Sequence, residues 1–256
     1  MNIVLIPSKS RAKKTFLINQ LVENNLKFYY FVEPSELTEY YKILPKKNVI
    51  NILKNNQGIG YVRNFILNYA QTNNIKKYWT LDDDLTNFYH REEKKMVKND
   101  INVLKKVEKQ FKDSDYGIYG LEYQQFAWSA NKEKVENSYM DCCVCIDAEK
   151  AYKKNIKYRP RLNLKEDRDF AMQFIKNGYN NARSTLYAFS CPKNGSNEGG
   201  LSKEYKENNG EKEKRAVERM IEEWGVDICR KIIKKDGRVD VKIFWKKINQ
   251  KQQNLF

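Results

Sequence analysis

The sequence has a single histidine, no long apolar run and neither of the common glycine-rich nucleotide loops. The P-loop pattern with its lysine does not occur, and no G-x-G-x-x-G segment follows the first predicted strand. A Walker-type ATPase and a dinucleotide-dependent dehydrogenase are therefore excluded. No apolar run approaches the roughly 20 residues that cross a bilayer, so we expect no membrane partner.

The sequence has only five cysteines, an odd number. Cys142, Cys143 and Cys145 lie close together, but neither their spacing nor a histidine partner matches a zinc site. Residues 139–147 predict a buried strand instead, and small buried cysteines are common. Charged residues interrupt the first apolar segment too early for a secretory signal. We therefore expect a reduced, cytoplasmic setting.

Positive charge is in excess, with 48 Lys and Arg against 33 Asp and Glu and a formal net charge of +15. Such a chain is drawn to polyanions, of which nucleic acid comes first and nucleotide-sugar phosphates and anionic membrane follow. Lysine-rich surfaces also serve solubility, so charge alone does not identify the partner. The length, 256 residues, suits one large domain or one domain with an elaboration.

Strand-like and helix-like segments alternate in the first third of the chain. Strands are predicted at residues 2–7, 27–32, 49–53 and 79–84, with helices at residues 15–24, 33–41 and just after residue 60. This alternation predicts a three-layer α/β sandwich of the Rossmann type with a mostly parallel central sheet. In this interpretation residues 1–202 form the main domain, and residues 203–256 form a basic extension of helix and strand packed on it.

The rest of the chain predicts further elements. These are a solvated helix over 91–112, strands over 116–122 and 185–190, helices over 166–176, 211–224 and 227–235, and a final strand over 238–246 with a basic outer face. The Gly-, Ser- and Asn-rich segment 192–201 is either a mobile lid or an ordinary surface loop.

Three consecutive carboxylates, Asp82, Asp83 and Asp84, follow an apolar and aromatic run. Adjacent carboxylates repel one another and need a cation or full solvation. At the mouth of a buried strand they indicate a divalent-metal site shared with a phosphate-bearing substrate. The alternative is a solvated acidic turn, which the buried character of both flanks disfavours.

Two glycines precede the third predicted helix. Gly58 and Gly60 allow a close approach of backbone to ligand at the start of that helix. Arg63 and Asn64 in its first turns are in reach of the carboxyl edge of the sheet. The polar, basic loop 8–11 after the first strand lies at the same edge, where α/β proteins bind ligands.

A second acidic group, Glu166, Asp167 and Asp169, opens a predicted helix. Capping and the helix dipole explain one such acid readily and three less readily. An acid held there beside a metal–phosphate site would also serve as a general base.

Tyr123, Phe126 and Trp128 supply aromatic side chains between two predicted strands. They either line an acceptor pocket or pack in the core.

Taken together, these segments resemble a GT-A glycosyltransferase, with Asp82-Asp83-Asp84 in place of its D-x-D motif and residues 165–170 in place of its acid–acid motif. The likeness is nearest to the DNA-base glycosyltransferases found with TET/JBP-type oxygenases in phages and kinetoplastids. It covers most of the chain, through residues 6–11, 58–65, 81–84 and 240–245. The pairing of the triplet with the G-I-G-Y-V-R-N segment is its most specific part.

The resemblance implies transfer of a sugar from a UDP-sugar, with UDP-glucose the expected donor, to a hydroxymethylated pyrimidine in double-stranded DNA. Asp82 and Asp84 would hold Mn²⁺ or Mg²⁺ against the diphosphate, and Asp83 would contact ribose or metal. Asp167, or failing it Glu166, would deprotonate the acceptor for an inverting displacement.

The remaining donor contacts are assigned by the same resemblance to Ser8, Arg11, Gly58, Gly60, Arg63 and Asn64. Many GT-A enzymes complete the metal shell with a C-terminal histidine, whereas His90 here follows the triplet and is expected at the surface. We further expect a monomer acting in the cytoplasm, that of the host if the protein is phage-encoded.

Two other interpretations stay open at this point. The first is a GT-A transferase acting on a glycan or protein acceptor, for which the positive charge would be incidental. The second is a basic nucleic-acid-binding module without catalytic activity, in which the Asp triplet is structural.

Overall fold

The computed structural model describes residues 1–14, 16–93, 95–192, 196, 198–200, 210–235 and 237–249. The strands are β1 (Ile3–Ser8), β2 (Phe28–Val32), β3 (Val49–Asn51), β4 (Lys77–Leu81), β5 (Asn87–Glu92), β6 (Lys95–Asn99), β7 (Ile118–Tyr123), β8 (Lys134–Glu136), β9 (Cys143–Asp147), β10 (Asn181–Ser190), β11 (Cys229–Ile233) and β12 (Val239–Ile243). The α-helices are α1 (Phe16–Glu23), α2 (Leu37–Tyr41), α3 (Ile59–Thr72), α4 (Val103–Gln110), α5 (Gln124–Ala127), α6 (Ala148–Lys153), α7 (Glu166–Lys176) and α8 (Glu211–Trp224).

The large sheet has the strand order β3-β2-β1-β4-β9-β7-β10-β5-β6, with β8 paired to β10. Strands β1 to β4, β6, β7 and β10 run in one direction, and β5, β8 and β9 run in the other. The parallel half, β3-β2-β1-β4, comes from the alternation of strand and helix in the first third of the chain. The predicted α/β fold with a mostly parallel sheet is therefore confirmed.

Helices cover both faces of this sheet, as three layers require. One core joins buried residues of α1 and α4, such as Leu17, Leu21 and Leu104, to the sheet. The other joins α3, α6 and α7 to the opposite face, through residues that include Ile66 and Phe170. All six residues of β1 are buried, which is why its sequence is apolar throughout rather than alternating.

A third core belongs to the C-terminal part of the chain. The hairpin β11–β12 and helix α8 pack with Leu162, Met172 and Ile175 of the main domain. Helix α8 confirms the helix predicted over 211–224, and β12 confirms the strand predicted over 238–246. The boundary at residue 202 stays a prediction, since residues 201–209 are outside the described part of the chain.

The helix predicted over 91–112 is right only over Val103–Gln110, and the helix predicted over 227–235 is wrong. The first part of the segment 91–112 belongs to a hairpin of β5 and β6, in which β5 also pairs with β10. The segment 227–235 contains β11, which pairs with β12. In both places pairing with a neighbouring strand overrides the local helix propensity of a charged, Lys-rich sequence.

None of the helices in the described residues combines the length and the apolar character that crossing a membrane needs.

Candidate active site

The Asp triplet lies just beyond the carboxyl end of β4, since the strand ends at Leu81. The Asp82 N–H donates to the Cys142 carbonyl oxygen at 2.8 Å, which fixes the triplet against the segment that leads into β9. The strand was predicted to run through residue 84. Its earlier end frees the three carboxylates to point in different directions.

Asp83 points inward and is only 5% exposed. The Ser8 hydroxyl donates to its Oδ2, and Arg11 Nη1 lies 2.6 Å from its Oδ1. Burial raises the pKa of Asp83, and the Arg11 charge opposes that rise. Because both carboxylate oxygens are engaged, Asp83 holds the loop after β1 against the triplet. The predicted contact of Asp83 with ribose or metal would have to displace these bonds.

Asp82 and Asp84 keep more exposure, with side chains 31% and 16% exposed. Arg63 Nη2 lies 3.3 Å from Asp82 Oδ1, and Arg11 Nη1 lies 3.1 Å from Asp84 Oδ2. Burial and the neighbouring Asp82 charge raise the pKa of Asp84 to about 6. Two carboxylates that repel one another at the edge of a sheet are suited to share a cation.

Arg63 joins the two acidic groups that the sequence presents far apart. It is buried, and its Nη1 lies 3.1 Å from Glu166 Oε1 while its Nη2 contacts Asp82. Its guanidinium also lies 5.7 Å from the centre of the Tyr158 ring. The triplet after β4 and the acidic start of α7 are therefore parts of one site.

The three acids at the start of α7 differ in their surroundings. Asp169 is fully buried and accepts from Trp224 Nε1 and Gln173 Nε2, both at 2.8 Å, so it is structural. Glu166 is buried, and this burial raises its pKa to about 7, with Asp167 adding to the rise and Arg63 opposing it. Asp167 is only half-buried, and its Oδ1 accepts from the Arg168 N–H at 2.7 Å. It is the acid of this group that a substrate can reach.

Asp141 is a residue of the site that the sequence did not reveal. It precedes β9 and lines a narrow cavity with Asp82 and Arg63. Burial and the charge of Asp167 raise its pKa to about 7. In the sequence Asp141 sits inside an apolar run and looks like part of a buried strand. Only the antiparallel pairing of Leu81 with Cys143 shows that it faces the triplet.

The loops after the first three strands are tied together beside the triplet. Lys9 Nζ lies 2.9 Å from Glu33 Oε1, which also accepts from the Asn56 N–H at 3.0 Å. Ser10 donates to Glu36 through its N–H at 2.6 Å and its hydroxyl at 2.7 Å. The sequence suggested only Ser8 and Arg11 in this region.

The Gly58–Asn64 segment packs on other parts of the chain. Gly58, directly before α3, has a φ of 80°, which favours glycine. A Cβ on Gly60 would meet Pro160 Cα at 3.6 Å. Asn64 binds the backbone of Tyr158 with both ends of its amide, at 2.6 and 2.9 Å. These residues position the segment that leads to α7, and their direct contact with a donor stays a prediction.

Part of the predicted lid lies over Arg11. Arg11 donates to the carbonyl oxygens of Glu198 and Gly199, at 3.2 and 3.4 Å. A Cβ on Gly199 would come within 2.9 Å of the Lys9 carbonyl oxygen, so only glycine fits this approach. Residues 193–195, 197 and 201 of the predicted lid are outside the described residues, and its motion stays a prediction.

The three aromatic candidates differ in exposure. Tyr123 is half-buried, and its hydroxyl lies 3.0 Å from the Cys142 sulfur. Phe126 and Trp128 are 52% and 53% exposed. His90 lies in β5 and bonds to Glu92 and Asn99, so the structure does not place it with the triplet.

The melting temperature of the protein is expected to fall as pH rises from about 5 to 8. A carboxyl such as Glu166, whose pKa of about 7 lies above its ordinary value, binds its proton more tightly in the folded chain. Its contribution to the free energy of unfolding is complete below about pH 4 and is lost as pH rises through about 7.

Glu166→Gln imitates the protonated side chain and should reduce this pH dependence, leaving the parts that Asp141 and Asp84 contribute through their own raised pKa values. The measurement is thermal unfolding across this pH range, without nucleotide or metal. Identical slopes for the variant and the parent protein would contradict the raised pKa of Glu166.

The chain is similar in sequence to a known protein family. A family model described as TET-Associated Glycosyltransferase matches residues 2–200. No curated protein matches the chain.

Two solved structures of S. aureus TarS 1-349 share the fold. The first is 15% identical with a TM-score of 0.51, and the match covers 74% of this chain and 59% of that one. The second, in complex with UDP, has the same identity and TM-score, and the match covers 86% of this chain and 66% of that one. The chain thus spans less than two thirds of TarS 1-349 in either structure. At this identity the likeness shows the fold alone, and it agrees with the predicted GT-A-like architecture.

Proposed function

Because the chain belongs to the TET-associated glycosyltransferase family, we propose that it transfers a hexose from a UDP-sugar to the hydroxymethyl group of a modified pyrimidine in double-stranded DNA. The observation that carries this proposal is the Arg63 bridge between Asp82 and Glu166. It brings the carboxylates expected to face a diphosphate next to the acids expected to face an acceptor. A binding module without catalytic activity would have no use for this arrangement.

The donor side lies between the triplet and the loop after β1. Arg11, next to Asp83 and Asp84, supplies positive charge for a diphosphate. TarS 1-349 has been solved with UDP bound, which supports UDP as the nucleotide and fits UDP-glucose as the donor.

The side chains of the triplet fit a divalent ion. Asp82 and Asp84 are the carboxylates that remain accessible once Asp83 is turned inward, and hard cations take such oxygen ligands. Within the described residues, no cluster of three or more carboxylate, thiol or imidazole groups is placed to hold an ion alone. Asp82 and Asp84 would therefore hold Mn²⁺ or Mg²⁺ together with phosphate and water. The ion would neutralise charge on the leaving diphosphate.

The chemical step is a displacement at the anomeric carbon of the sugar. Asp167 takes the proton of the acceptor hydroxymethyl group. The oxygen of that hydroxymethyl group forms the new bond to the anomeric carbon as the bond from the anomeric carbon to the β-phosphate oxygen breaks. UDP leaves with the electron pair, and the configuration inverts. Asp167 is suited to this role because it is half-buried and lies beside the buried Glu166, which Arg63 fixes.

The acceptor assignment is supported by the family and by charge. An enzyme that acts on a duplex must hold phosphates, and the net charge is +15. The modified base would have to unstack or flip out of the duplex to reach the candidate active site. Tyr123 contacts Cys142, whose carbonyl oxygen accepts from the Asp82 N–H, and the centre of the Phe126 ring lies 6.2 Å from that of the Tyr123 ring. With Trp128, these two side chains would receive that base. All five cysteines are free, in keeping with the proposed cytoplasmic setting.

The test is to incubate the protein with Mn²⁺, hydroxymethylated DNA and a panel of UDP-sugars, then to digest the DNA and weigh its nucleosides. We expect a mass increase of one hexose on 5-hydroxymethylcytosine or 5-hydroxymethyluracil, with UDP-glucose giving the highest rate. Unmodified DNA is the matched control. Release of sugar from the donor without any transfer to either DNA would contradict the DNA acceptor and favour a glycan or protein acceptor.

A further inference from the structure

Three cations surround one aromatic ring on the C-terminal hairpin. Arg230, Lys242 and Lys247 lie 5.1, 5.3 and 5.4 Å from the centre of the Phe244 ring. All three side chains are exposed, and Phe244 is half-buried. We call these four residues the hairpin surface. The hairpin lies beyond residues 2–200, which the family model matches.

The charges of the hairpin surface are unfavourable in the isolated protein. Arg230 of β11 pairs directly with Lys242 of β12, and like charges directly opposite one another destabilise a sheet. The nearest carboxylate on the strand, Asp240, is buried and engaged by Lys165, Arg168 and Lys234. Attraction to the Phe244 ring compensates for part of this repulsion. A bound anion would remove the rest.

Several other lysines of the protein are paired with carboxylates. Lys42, Lys134 and Lys153, for example, each lie within 3.4 Å of a carboxylate oxygen. No ion pair between a described carboxylate and Arg230, Lys242 or Lys247 occurs in the structure. These three cations therefore meet at one ring without a described carboxylate to neutralise them.

The hairpin surface is also held rigidly. Cys229 and Val241, on the same two strands, are buried in the third core with Val217 and Met220 of α8. Trp224, at the end of α8, donates to Asp169 in α7. A rigid array of cations loses little conformational freedom when an anion binds.

Asp240 connects this surface to the candidate active site. It bonds to Arg168 and lies 3.1 Å from Lys165, and these two residues flank the acid pair Glu166 and Asp167. Lys242 is two residues farther along β12, roughly 7 Å at the rise of a strand. An anion on the hairpin surface would thus lie within a few nucleotides of the acid pair.

We propose that the hairpin surface binds backbone phosphates of the acceptor duplex and sets its position relative to Asp167. This inference rests on the proposed function for the identity of the acceptor. Three separate cations suit successive phosphates of one strand better than the single diphosphate of a nucleotide. Phosphate contacts of this kind position a duplex without reading its sequence.

The test compares two variants of equal charge. One combines Arg230→Gln, Lys242→Gln and Lys247→Gln. The control combines Lys76→Gln, Lys153→Gln and Lys154→Gln, three exposed lysines outside the hairpin, of which Lys76 precedes β4 and the other two end α6. Binding of a short duplex carrying 5-hydroxymethylcytosine is measured by fluorescence anisotropy at several salt concentrations, and hydrolysis of the UDP-sugar without DNA is measured in parallel.

We expect the hairpin variant to bind the duplex about 10- to 100-fold more weakly at moderate salt, and its salt slope to fall by about 2 to 3, since each phosphate contact contributes roughly 0.9. The control should change affinity less than about threefold. Hydrolysis of the UDP-sugar should stay the same in both variants, and the melting temperature of the hairpin variant should not fall, because like charges have been removed.

Three results would overturn the proposal. The first is equal affinity and equal salt slope for the two variants while the parent protein binds and modifies DNA; this rejects the hairpin surface alone. The second is absence of duplex binding by the parent protein at low salt, which rejects the DNA acceptor as well. The third is loss of binding to phosphatidylserine vesicles in the hairpin variant with duplex binding unchanged, which would assign the surface to a membrane.

Discussion

Replacing Asp167 with Asn is expected to lower kcat for sugar transfer by about 100- to 10,000-fold, the range that a general base contributes. The amide cannot take the proton of the acceptor hydroxyl. Its oxygen can still accept from the Arg168 N–H, as the carboxylate does at 2.7 Å, so the start of α7 should keep its shape. The affinity for the UDP-sugar should therefore change little.

The measurement is single-turnover transfer to hydroxymethylated DNA, with donor affinity determined separately by calorimetry. Glu166→Gln is the matched control, because Glu166 neighbours Asp167 but is buried against Arg63. A full rate for Asp167→Asn together with a large loss for Glu166→Gln would exchange the roles of the two acids. Loss of donor binding in Asp167→Asn would make Asp167 a donor-site residue instead.

Replacing Asp82 with Ala is expected to abolish the stimulation of transfer by Mn²⁺ and to lower the rate by about 1000-fold, the equivalent of the several kcal/mol that a metal contributes to such a step. Asp82 is the most exposed of the three carboxylates, and it contacts Arg63. Its loss would leave the metal ion without one of its two proposed protein ligands and would free Arg63 on one side.

Initial rates across a Mn²⁺ titration, with melting temperatures of each variant, check this prediction. Asp83→Ala is the comparison, because it breaks the buried pair with Arg11 and should act mainly by lowering the melting temperature. Full, metal-independent transfer by Asp82→Ala would show that the triplet is not the metal site. A normal melting temperature for Asp83→Ala would contradict its structural role.

Much of the fold follows from local patterns. Apolar runs of strand length, glycines before a helix and acids at a helix start all act within a few residues of one another, and they place β1 to β4, α1, α3 and α7 where the structure has them. Where strand pairing decides the structure, these patterns are wrong. The Lys-rich segments that contain β6 and β11 suit a helix, and pairing with β5 and β12 makes them strands, while β5 itself pairs with β10 far along the chain.

Some features of the candidate site also follow from the sequence, and others do not. The sequence by itself determined which chemistry is present: a carboxylate triplet after a buried strand, an acid pair at a helix start, and an excess of positive charge. Residue type is enough for these conclusions, because the properties belong to side chains and their near neighbours.

Only the tertiary structure decided where each of those side chains points and which residues it contacts. It turned Asp83 inward onto Ser8 and Arg11, placed Arg63 between Asp82 and Glu166, and brought Asp141 to the cavity beside the triplet. It also set Arg230 opposite Lys242. Direction, burial and cross-strand register depend on contacts between residues far apart in the chain, and no local pattern contains them.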